Sequence, residues 1–321
     1  MTDSPTIPAA RPAPKRGGPL RGIVLKIVSV MCFVVMATLI KATGDLPAGE
    51  LVFFRCFFAI LPVFLWLLWR RQLRVALQTS NPWGHVVRAL VGVASMSLGF
   101  FALTRLPLPE STAIGYASPL LIVVFSALLL KERVYVFRWT AVVVGLVGVL
   151  IILWPRLTLF TSGQPVGDTE AIGAIAALGG AILTAFALMQ VRRLTLTERT
   201  EAIVVYFFIC ASILSLLSLP FGWVMPSPEQ AMLLIGAGFA GGIGQLLMTS
   251  SYRYAEMSVI APFEYTSLLL TLVLGYLVFG DVPTWSMIGG AVIIIGSGIA
   301  VILREQYLGL ERSKARQAHT P

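Results

Sequence analysis

Residues 22–42 read GIVLKIVSVMCFVVMATLIKA, a run of 21 residues in which Lys26 and Lys41 carry the only charges. A helix needs about 20 mostly apolar residues to cross the roughly 30 Å hydrocarbon core of a bilayer. Segments of this kind recur along the chain, and ten membrane spans are predicted. They are residues 22–42, 49–69, 84–104, 108–130, 135–154, 170–190, 201–221, 229–251, 257–279 and 283–303.

The composition of the whole chain agrees with a membrane protein. Of 321 residues, 57% are apolar and 12% are charged, and the mean hydropathy is +0.86. These values exclude an ordinary soluble domain, in which about half of the residues are apolar and about a quarter are charged. No basic soluble face accompanies the net charge of +9, so nucleic acid is not an expected partner. The three cysteines lie in apolar segments, which argues against a disulfide framework and a metal cage, and no cofactor is expected.

Basic residues alternate between the two faces of the predicted membrane domain. With the N-terminus in the cytoplasm, nineteen of the 24 Lys and Arg residues fall in tails or inner loops, Arg88 among them, and three fall outside. Because short cytoplasmic loops are enriched in Lys and Arg, both termini are predicted to be cytoplasmic, which requires an even number of crossings. Residues 1–21 are expected to be a disordered cytoplasmic tail and residues 304–321 a cytoplasmic C-terminal tail.

Two segments about 150 residues apart share an outline. Ser111-Thr-Ala-Ile-Gly-Tyr-Ala-Ser-Pro119 and Ser258-Val-Ile-Ala-Pro-Phe-Glu-Tyr-Thr-Ser267 each precede an apolar run and an acidic turn. The alternative is a general likeness between helical hairpins in lipid. As a repeat, residues 22–154 and 170–303 hold five helices each, and this odd number inverts the second unit relative to the first. Inverted repeats are typical of secondary transporters, which bind solute near the midplane between the halves.

Short motifs in both units support the same conclusion. They are Glu50-Leu-Val-Phe-Phe-Arg55, Leu129-Leu-Lys-Glu132, Gly241-Gly-Ile-Gly-Gln245, Ala261-Pro-Phe-Glu-Tyr265 and Phe279-Gly-Asp281. With them the chain resembles the drug/metabolite transporter superfamily, in its ten-helix form with two EamA-type repeats. The resemblance implies an all-α protein of the bacterial inner membrane that transports a small organic metabolite, such as S-adenosylmethionine, riboflavin or an amino acid. It does not identify the solute.

The resemblance also marks two acids at helix exits. Glu132 ends the fourth span and Asp281 ends the ninth, at opposite membrane faces. In that position they are expected to act as gate residues or to cap loops.

Glu264 is the main candidate for substrate binding. It lies about 11 Å into the ninth span, where an ionisable group costs about 2.5–3.5 kcal/mol and should face a cavity or a partner. Its carboxyl either accepts a coupling proton or pairs with a cationic substrate; alternatively, it bonds Arg253 or a hydroxyl at a wet inner mouth. Lys26, about one turn beyond Arg21, is expected to snorkel to the inner surface.

Four other side chains are candidates for the solute site. Arg55 could clamp a carboxylate or phosphate, or could pair with Glu50 or Glu110, or snorkel outward. Tyr116 and Tyr265 occupy equivalent repeat positions beside Pro119 and Pro262, so they either stack on a planar solute or pack. Gln245 could bond the solute or hold helices together.

Other functions find less support in the sequence. Gly236-Ala-Gly238-Phe-Ala-Gly241 matches a dinucleotide-binding pattern, but it lies inside an apolar span, where the spacing of Gly238 and Gly242 indicates close helix packing. His85 and His319 lie apart, which disfavours an embedded enzyme, and no polar ring suggests a channel. The prediction is therefore a non-enzymatic secondary carrier, with or without a coupling proton, as a monomer or a homodimer. A non-transporting structural or regulatory membrane protein is the alternative.

Overall fold

The computed structural model describes residues 18–129, 136–161, 165–194, 197–251, 254 and 260–318. In these ranges the chain is helical between short turns, and no β-strand occurs. The first repeat contains α1 (Gly18–Ala42), α2 (Ala48–Trp69), the single turn α3 (Leu73–Ala76), α4 (Pro82–Leu103), α5 (Leu108–Gly115), α6 (Ala117–Leu129) and α7 (Val136–Thr161). The second contains α8 (Pro165–Leu194), α9 (Thr200–Ser215) with a 3-10 turn (Leu216–Phe221), and α10 (Pro228–Ser251). It continues with a 3-10 turn (Ala261–Tyr265), α11 (Thr266–Leu274), a π turn (Gly275–Phe279) and α12 (Trp285–Ala318).

These helices account for the ten predicted spans. Within the described ranges, nine helical segments are long and apolar enough to cross a membrane, and Phe263–Phe279 is a shorter apolar segment that supplies the tenth. Helix α1 begins at Gly18, inside the stretch predicted as a tail, and the rest of that tail lies outside the described residues. Helix α12 continues to Ala318, so most of the predicted C-terminal tail extends this helix.

The fourth and ninth spans are both interrupted, as their prolines lead one to expect. Proline lacks an N–H and clashes with the carbonyl four residues earlier, which for Pro119 is that of Gly115. Helix α5 ends at Gly115, and the Ser118 hydroxyl donates to the Gly115 carbonyl at 2.9 Å. In the ninth span, Pro262 lies in the 3-10 turn that precedes α11. Each interruption places a tyrosine, Tyr116 or Tyr265, at the break.

Contacts between the helices come in matching pairs: when each helix of one repeat is replaced by its counterpart in the other, a second observed contact results. Helix α1 packs on α10, and the exchanged pair, α8 on α4, is also present. The same holds for α2 on α10 and its counterpart α9 on α4. The last helices of the two repeats, α7 and α12, pack on each other. The protein is thus an all-α membrane protein of ten spans in two inverted five-helix repeats.

Glycines allow the closest of these crossings. A Cβ added at Gly290 of α12 would lie 2.5 Å from the carbonyl oxygen of Gly148 on α7. Conversely, a Cβ added at Gly148 would lie 2.8 Å from the carbonyl oxygen of Gly290. On α10, a Cβ at Gly238 would lie 2.4 Å from Phe58 Cβ, and one at Gly242 would lie 2.8 Å from the Ala59 carbonyl oxygen. The prediction that Gly238 and Gly242 serve helix packing is confirmed.

A carboxylate ties the two repeats together at the predicted cytoplasmic face. Glu198, in the loop after α8, accepts four hydrogen bonds at one oxygen, from Thr79 Oγ1, from the amide and hydroxyl of Ser80, and from the Asn81 amide, all at 2.8–2.9 Å. Asn81 in turn caps α4. Although burial alone would raise the pKa of Glu198, these hydrogen bonds outweigh it and lower the pKa below its ordinary value of 4.5.

We expect this contact to stabilise the protein at neutral pH and to fail in acid. Because the folded-state pKa of Glu198 is lowered, its contribution is complete above the unfolded pKa near 4.5 and disappears as the pH falls through the folded value. Glu198→Gln should therefore lower the melting temperature at pH 7, and the gap to wild type should narrow as the pH falls below 4.5. The exposed Glu229→Gln is the control; a gap that stays constant from pH 7 to about pH 3 contradicts the prediction.

Candidate functional site

Glu264 has an ion-pair partner from the other repeat. The Nζ atom of Lys26, on α1, donates to Glu264 Oε2 in the 3-10 turn of the ninth span. The side chain of Lys26 is only 3% exposed, whereas that of Glu264 is 47% exposed. The expectation that Lys26 snorkels to the surface was wrong, because its ammonium turns into the protein and meets the Glu264 carboxylate. The expectation that Glu264 faces a partner or a cavity holds, with Lys26 as the partner.

The two tyrosines predicted for the site lie beside this ion pair. The rings of Tyr116 and Tyr265 meet edge to face, with centroids 5.1 Å apart and planes inclined by 70°. The hydroxyl of Tyr116 bonds to the Ser267 hydroxyl and donates to the Glu264 carbonyl oxygen at 3.4 Å. Because the rings contact each other directly, a planar solute could stack between them only after the two repeats separate here. The stacking role remains a prediction.

Gln245 lies on α10, the helix that packs along α1. Its side chain is half-buried, and its amide has no hydrogen-bond partner among the described residues. The hydroxyl of Ser29 on α1 donates to the Gly244 carbonyl oxygen at 2.7 Å and fixes this part of α10. The Gln245 amide is therefore available to a solute, and its role stays a prediction.

Asp281 forms a second contact between the repeats, at the opposite membrane face. Its Oδ2 atom accepts a hydrogen bond from the Leu108 amide at 2.9 Å and lies 3.6 Å from Lys41 Nζ. Lys41 also donates to the Leu106 carbonyl oxygen at 2.5 Å. Asp281 therefore caps the start of α5 and joins the second repeat to α1. Glu132, predicted for the same kind of role, lies outside the described residues.

Arg55 is buried in the membrane domain, and Arg88 lies half-buried near it. Arg55 is 6% exposed and contacts Met36 Sδ, Cys56 Sγ and Met96 Sδ at 3.4–3.9 Å. It forms none of the described ion pairs, so the suggested pairing with Glu50 or Glu110 and the suggested snorkelling are not seen. Counting Arg88 with the bases of the inner loops was wrong and conflicted with the predicted third span, 84–104: α4 begins at Pro82, and Arg88 lies almost two turns inside it, over the Phe207 ring. The Asn81-Pro82 helix start was the signal that could have placed it correctly.

Two other kinds of site, a metal centre and a surface cleft, were also considered in the described part of the chain. In it, no three His, Cys, Asp or Glu side chains come together as metal ligands. A cleft of about 310 Å³ opens at the far end of α1, lined by Asp45, Leu46, Pro47, Ala48, Phe101 and Arg105. This cleft is separate from the Lys26–Glu264 pair. The polar groups that bridge the repeats, rather than this cleft, define the candidate site.

Comparison with known proteins agrees with this architecture. The sequence profile of the EamA-like transporter family matches residues 20–154 and again residues 171–304. The chain belongs to the EamA-like transporter family. Its similarity to the drug/metabolite transporters, predicted from short motifs, is thereby confirmed.

Named relatives of this EamA-like transporter move small metabolites. The pseudopaline exporter CntI of Pseudomonas aeruginosa is 28% identical over 87% of this chain and 95% of its own length. The S-adenosylmethionine uptake transporter of Rickettsia prowazekii is 26% identical over 89% and 94%, and the riboflavin transporter of Vibrio cholerae is 28% identical over 86% and 91%. A crystal structure of another protein superposes with a TM-score of 0.61 at 20% identity, over 89% of this chain and 98% of that one. That likeness supports the fold of the EamA-like transporter alone.

Proposed function

We propose that the protein is a secondary transporter that moves a small organic metabolite across the bacterial inner membrane by alternating access, with both termini in the cytoplasm. The observation that carries the proposal is the pair of contacts that join α1 to the ninth span. Lys26 meets Glu264 at the start of that span, and Lys41 meets Asp281 just after its end. The two lysines lie 15 residues apart on one helix, about 22 Å along its axis.

These two contacts suit opposite gates of one pathway. Each joins the first repeat to the second, and they lie toward opposite membrane faces. A solute path between the repeats can open at one face only when the contact there breaks, while the other contact keeps the far face closed. Alternating access requires this arrangement, in which the two halves rock about a site near the midplane.

Glu264 is the group that links opening to binding. Protonation of its carboxylate, or its capture by a cationic part of the solute, removes the attraction that holds Lys26. The contact then weakens when proton or solute binds, and α1 is free to move away from the ninth span. Because Glu264 is half-exposed while Lys26 is buried, the carboxylate is the member of the pair that a proton or solute can reach.

Flux through the purified protein in proteoliposomes tests the proposal. S-adenosylmethionine, riboflavin and amino acids, each radiolabelled, are offered to vesicles preloaded with the same unlabelled compound. Saturable counterflow of any of them, above that of protein-free vesicles, is the expected result. Flux that rises linearly with concentration favours a channel, and the absence of flux with a broad metabolite panel favours a structural or regulatory protein.

A further inference from the structure

Two guanidinium groups in the membrane domain pair with no carboxylate of the described residues. Among the described residues, Arg55 is bonded only to weak sulfur acceptors, and neither Arg55 nor Arg88 forms an ion pair. The Nε and Nη1 atoms of Arg88 are buried and have no hydrogen-bond partner in the described part of the chain. Buried charged donors are almost always satisfied in native proteins, so each exception calls for an explanation.

The two guanidinium groups converge from opposite ends of neighbouring helices. Helices α2 and α4 run in opposite directions, and each arginine lies about 10 Å from the start of its helix. Arg55 reaches Met96, two turns beyond Arg88 on α4, and the two side chains are close enough to interact electrostatically. Like charges repel strongly in a medium of low dielectric constant. Packing alone would not favour this arrangement.

Glycines make room for both groups. A Cβ added at Gly92 would lie 2.3 Å from Arg88 Nη1, so in this conformation the Arg88 guanidinium occupies the space that a side chain at residue 92 would take. On α10, a Cβ added at Gly241 would lie 3.2 Å from Arg55 Nε. The space around the guanidinium groups is therefore built into the backbone.

Both repeats contribute to the surroundings of this pair. The arginines come from α2 and α4 of the first repeat, while Gly241 comes from α10 of the second. Helix α9 of the second repeat supplies the Phe208 ring, 5.2 Å from the Arg55 guanidinium carbon, and the Phe207 ring, 4.2 Å from that of Arg88. A ligand held here would touch both halves, as a solute that drives their relative motion must.

From this geometry we infer that Arg55 and Arg88 together bind an anionic group of the transported solute, a carboxylate or a phosphate monoester. The inference rests on the proposed transport function and narrows its substrate class. A guanidinium presents parallel N–H donors that match the oxygens of either anion. The anion would supply the acceptors that the buried Arg88 nitrogens lack and would cancel the repulsion between the two cations. The neighbouring phenyl rings would contact an apolar part of the solute.

Thermal unfolding of the full-length protein in a neutral detergent tests this site with three probes. Benzoate and phenyl phosphate carry the two candidate anions, and benzamide is the uncharged counterpart of benzoate. The melting temperature of wild type should rise with one or both anions and should not rise with benzamide. The anion that stabilises more identifies the group. Arg55→Gln and Arg88→Gln should each weaken the apparent affinity at least about tenfold, because each removes charge-assisted hydrogen bonds. The exposed Arg74→Gln should behave as wild type.

Several outcomes would overturn the inference. Equal stabilisation by benzoate and benzamide, or no stabilisation by either anion, would show that no anion-selective site exists. Retention of wild-type affinity in the Arg55→Gln/Arg88→Gln double variant would place the anion elsewhere. If the glutamine variants do not fold, Arg55→Lys and Arg88→Lys keep both charges; they should bind the anion more weakly than wild type, and unchanged affinity would contradict the role of the guanidinium groups.

Failure of this inference and failure of transport can be told apart. The probes bind in detergent, where no flux is measured. Lack of saturable flux in proteoliposomes would contradict the transport function while leaving anion-selective stabilisation in place. Conversely, saturable flux with no anion-selective stabilisation would retain the transporter and remove the anion site.

Discussion

Glu264→Gln is expected to lower the initial rate of solute transport by at least about 100-fold. The substitution preserves the shape of the side chain but removes its charge, so the ammonium of Lys26, only 3% exposed, is left without a counter-ion. Leaving a buried charge without its partner destabilises the fold, although by less here than in a fully buried pair because Glu264 is half-exposed. The amide also cannot exchange a proton or neutralise a cationic solute. The measurement is counterflow in proteoliposomes at pH 6, 7 and 8, with whichever metabolite gives saturable flux in the wild-type protein.

Variants of Lys26 separate the role of the Lys26–Glu264 pair in transport from its role in stability. Because Lys26 is buried and Glu264 is half-exposed, Lys26→Met should destabilise the fold less than Glu264→Gln does. The double variant Lys26→Met/Glu264→Gln carries no unpaired charge and should recover stability without recovering transport. Glu229→Gln, an exposed acid at the start of α10, is the matched control and should transport normally. Wild-type flux in Glu264→Gln at every pH would contradict the proposed role of Glu264 in binding a proton or a cationic part of the solute.

The ten spans and the internal repeat could be predicted because they follow from composition and period. A stretch of about 20 apolar residues has few alternatives to a membrane helix, and an odd number of helices in each unit forces inversion. The breaks in the fourth and ninth spans could also be predicted, since Pro119 and Pro262 each remove a backbone donor. The ends of α1 and α12 could not, because helices can continue beyond the membrane without any change in local sequence preference.

The partner of Glu264 was hidden because pairing in space leaves no local trace. Residues 26 and 264 are 238 positions apart, and nothing near Lys26 distinguishes a lysine that snorkels from one that turns inward. The available hint was the similar distance of the two opposite charges from the same membrane face. Glu264 itself could be found, because it is a charged residue inside an apolar span and the equivalent position in the first repeat is the uncharged Gly115.

Arg88 shows a different limit of single-sequence reasoning. The rule that short cytoplasmic loops are rich in Lys and Arg is statistical, and it counted as a loop residue an arginine that lies half-buried on a membrane helix. Once the helix start at Asn81-Pro82 is given priority, Arg88 falls almost two turns inside α4. Its approach to Arg55 still depends on how α2 and α4 pack, which the sequence pattern does not determine.

Gly290→Ala is expected to destabilise the protein by about 1–3 kcal/mol, the usual penalty for overpacking. The added methyl group would lie 2.5 Å from the Gly148 carbonyl oxygen and 2.5 Å from Ile152 Cγ1. The isoleucine can change rotamer, but the carbonyl is backbone, so α7 and α12 must move apart. These helices are the last of each repeat, and they pack on each other. Their separation therefore disturbs a contact that joins the two repeats.

The next residue along α12 provides a matched control. A Cβ added at Gly289 meets no other atom within 4 Å. Gly289→Ala should leave stability unchanged or raise it slightly, since alanine restricts the unfolded chain more than glycine does. Melting temperatures from fluorescence-detected size exclusion would compare both variants with wild type. Gly148→Ala approaches the same crossing from the other side and should also destabilise the protein. Equal melting temperatures for Gly290→Ala and Gly289→Ala would mean that α7 and α12 do not cross in close backbone contact, and the packing derived for this pair would have to be given up.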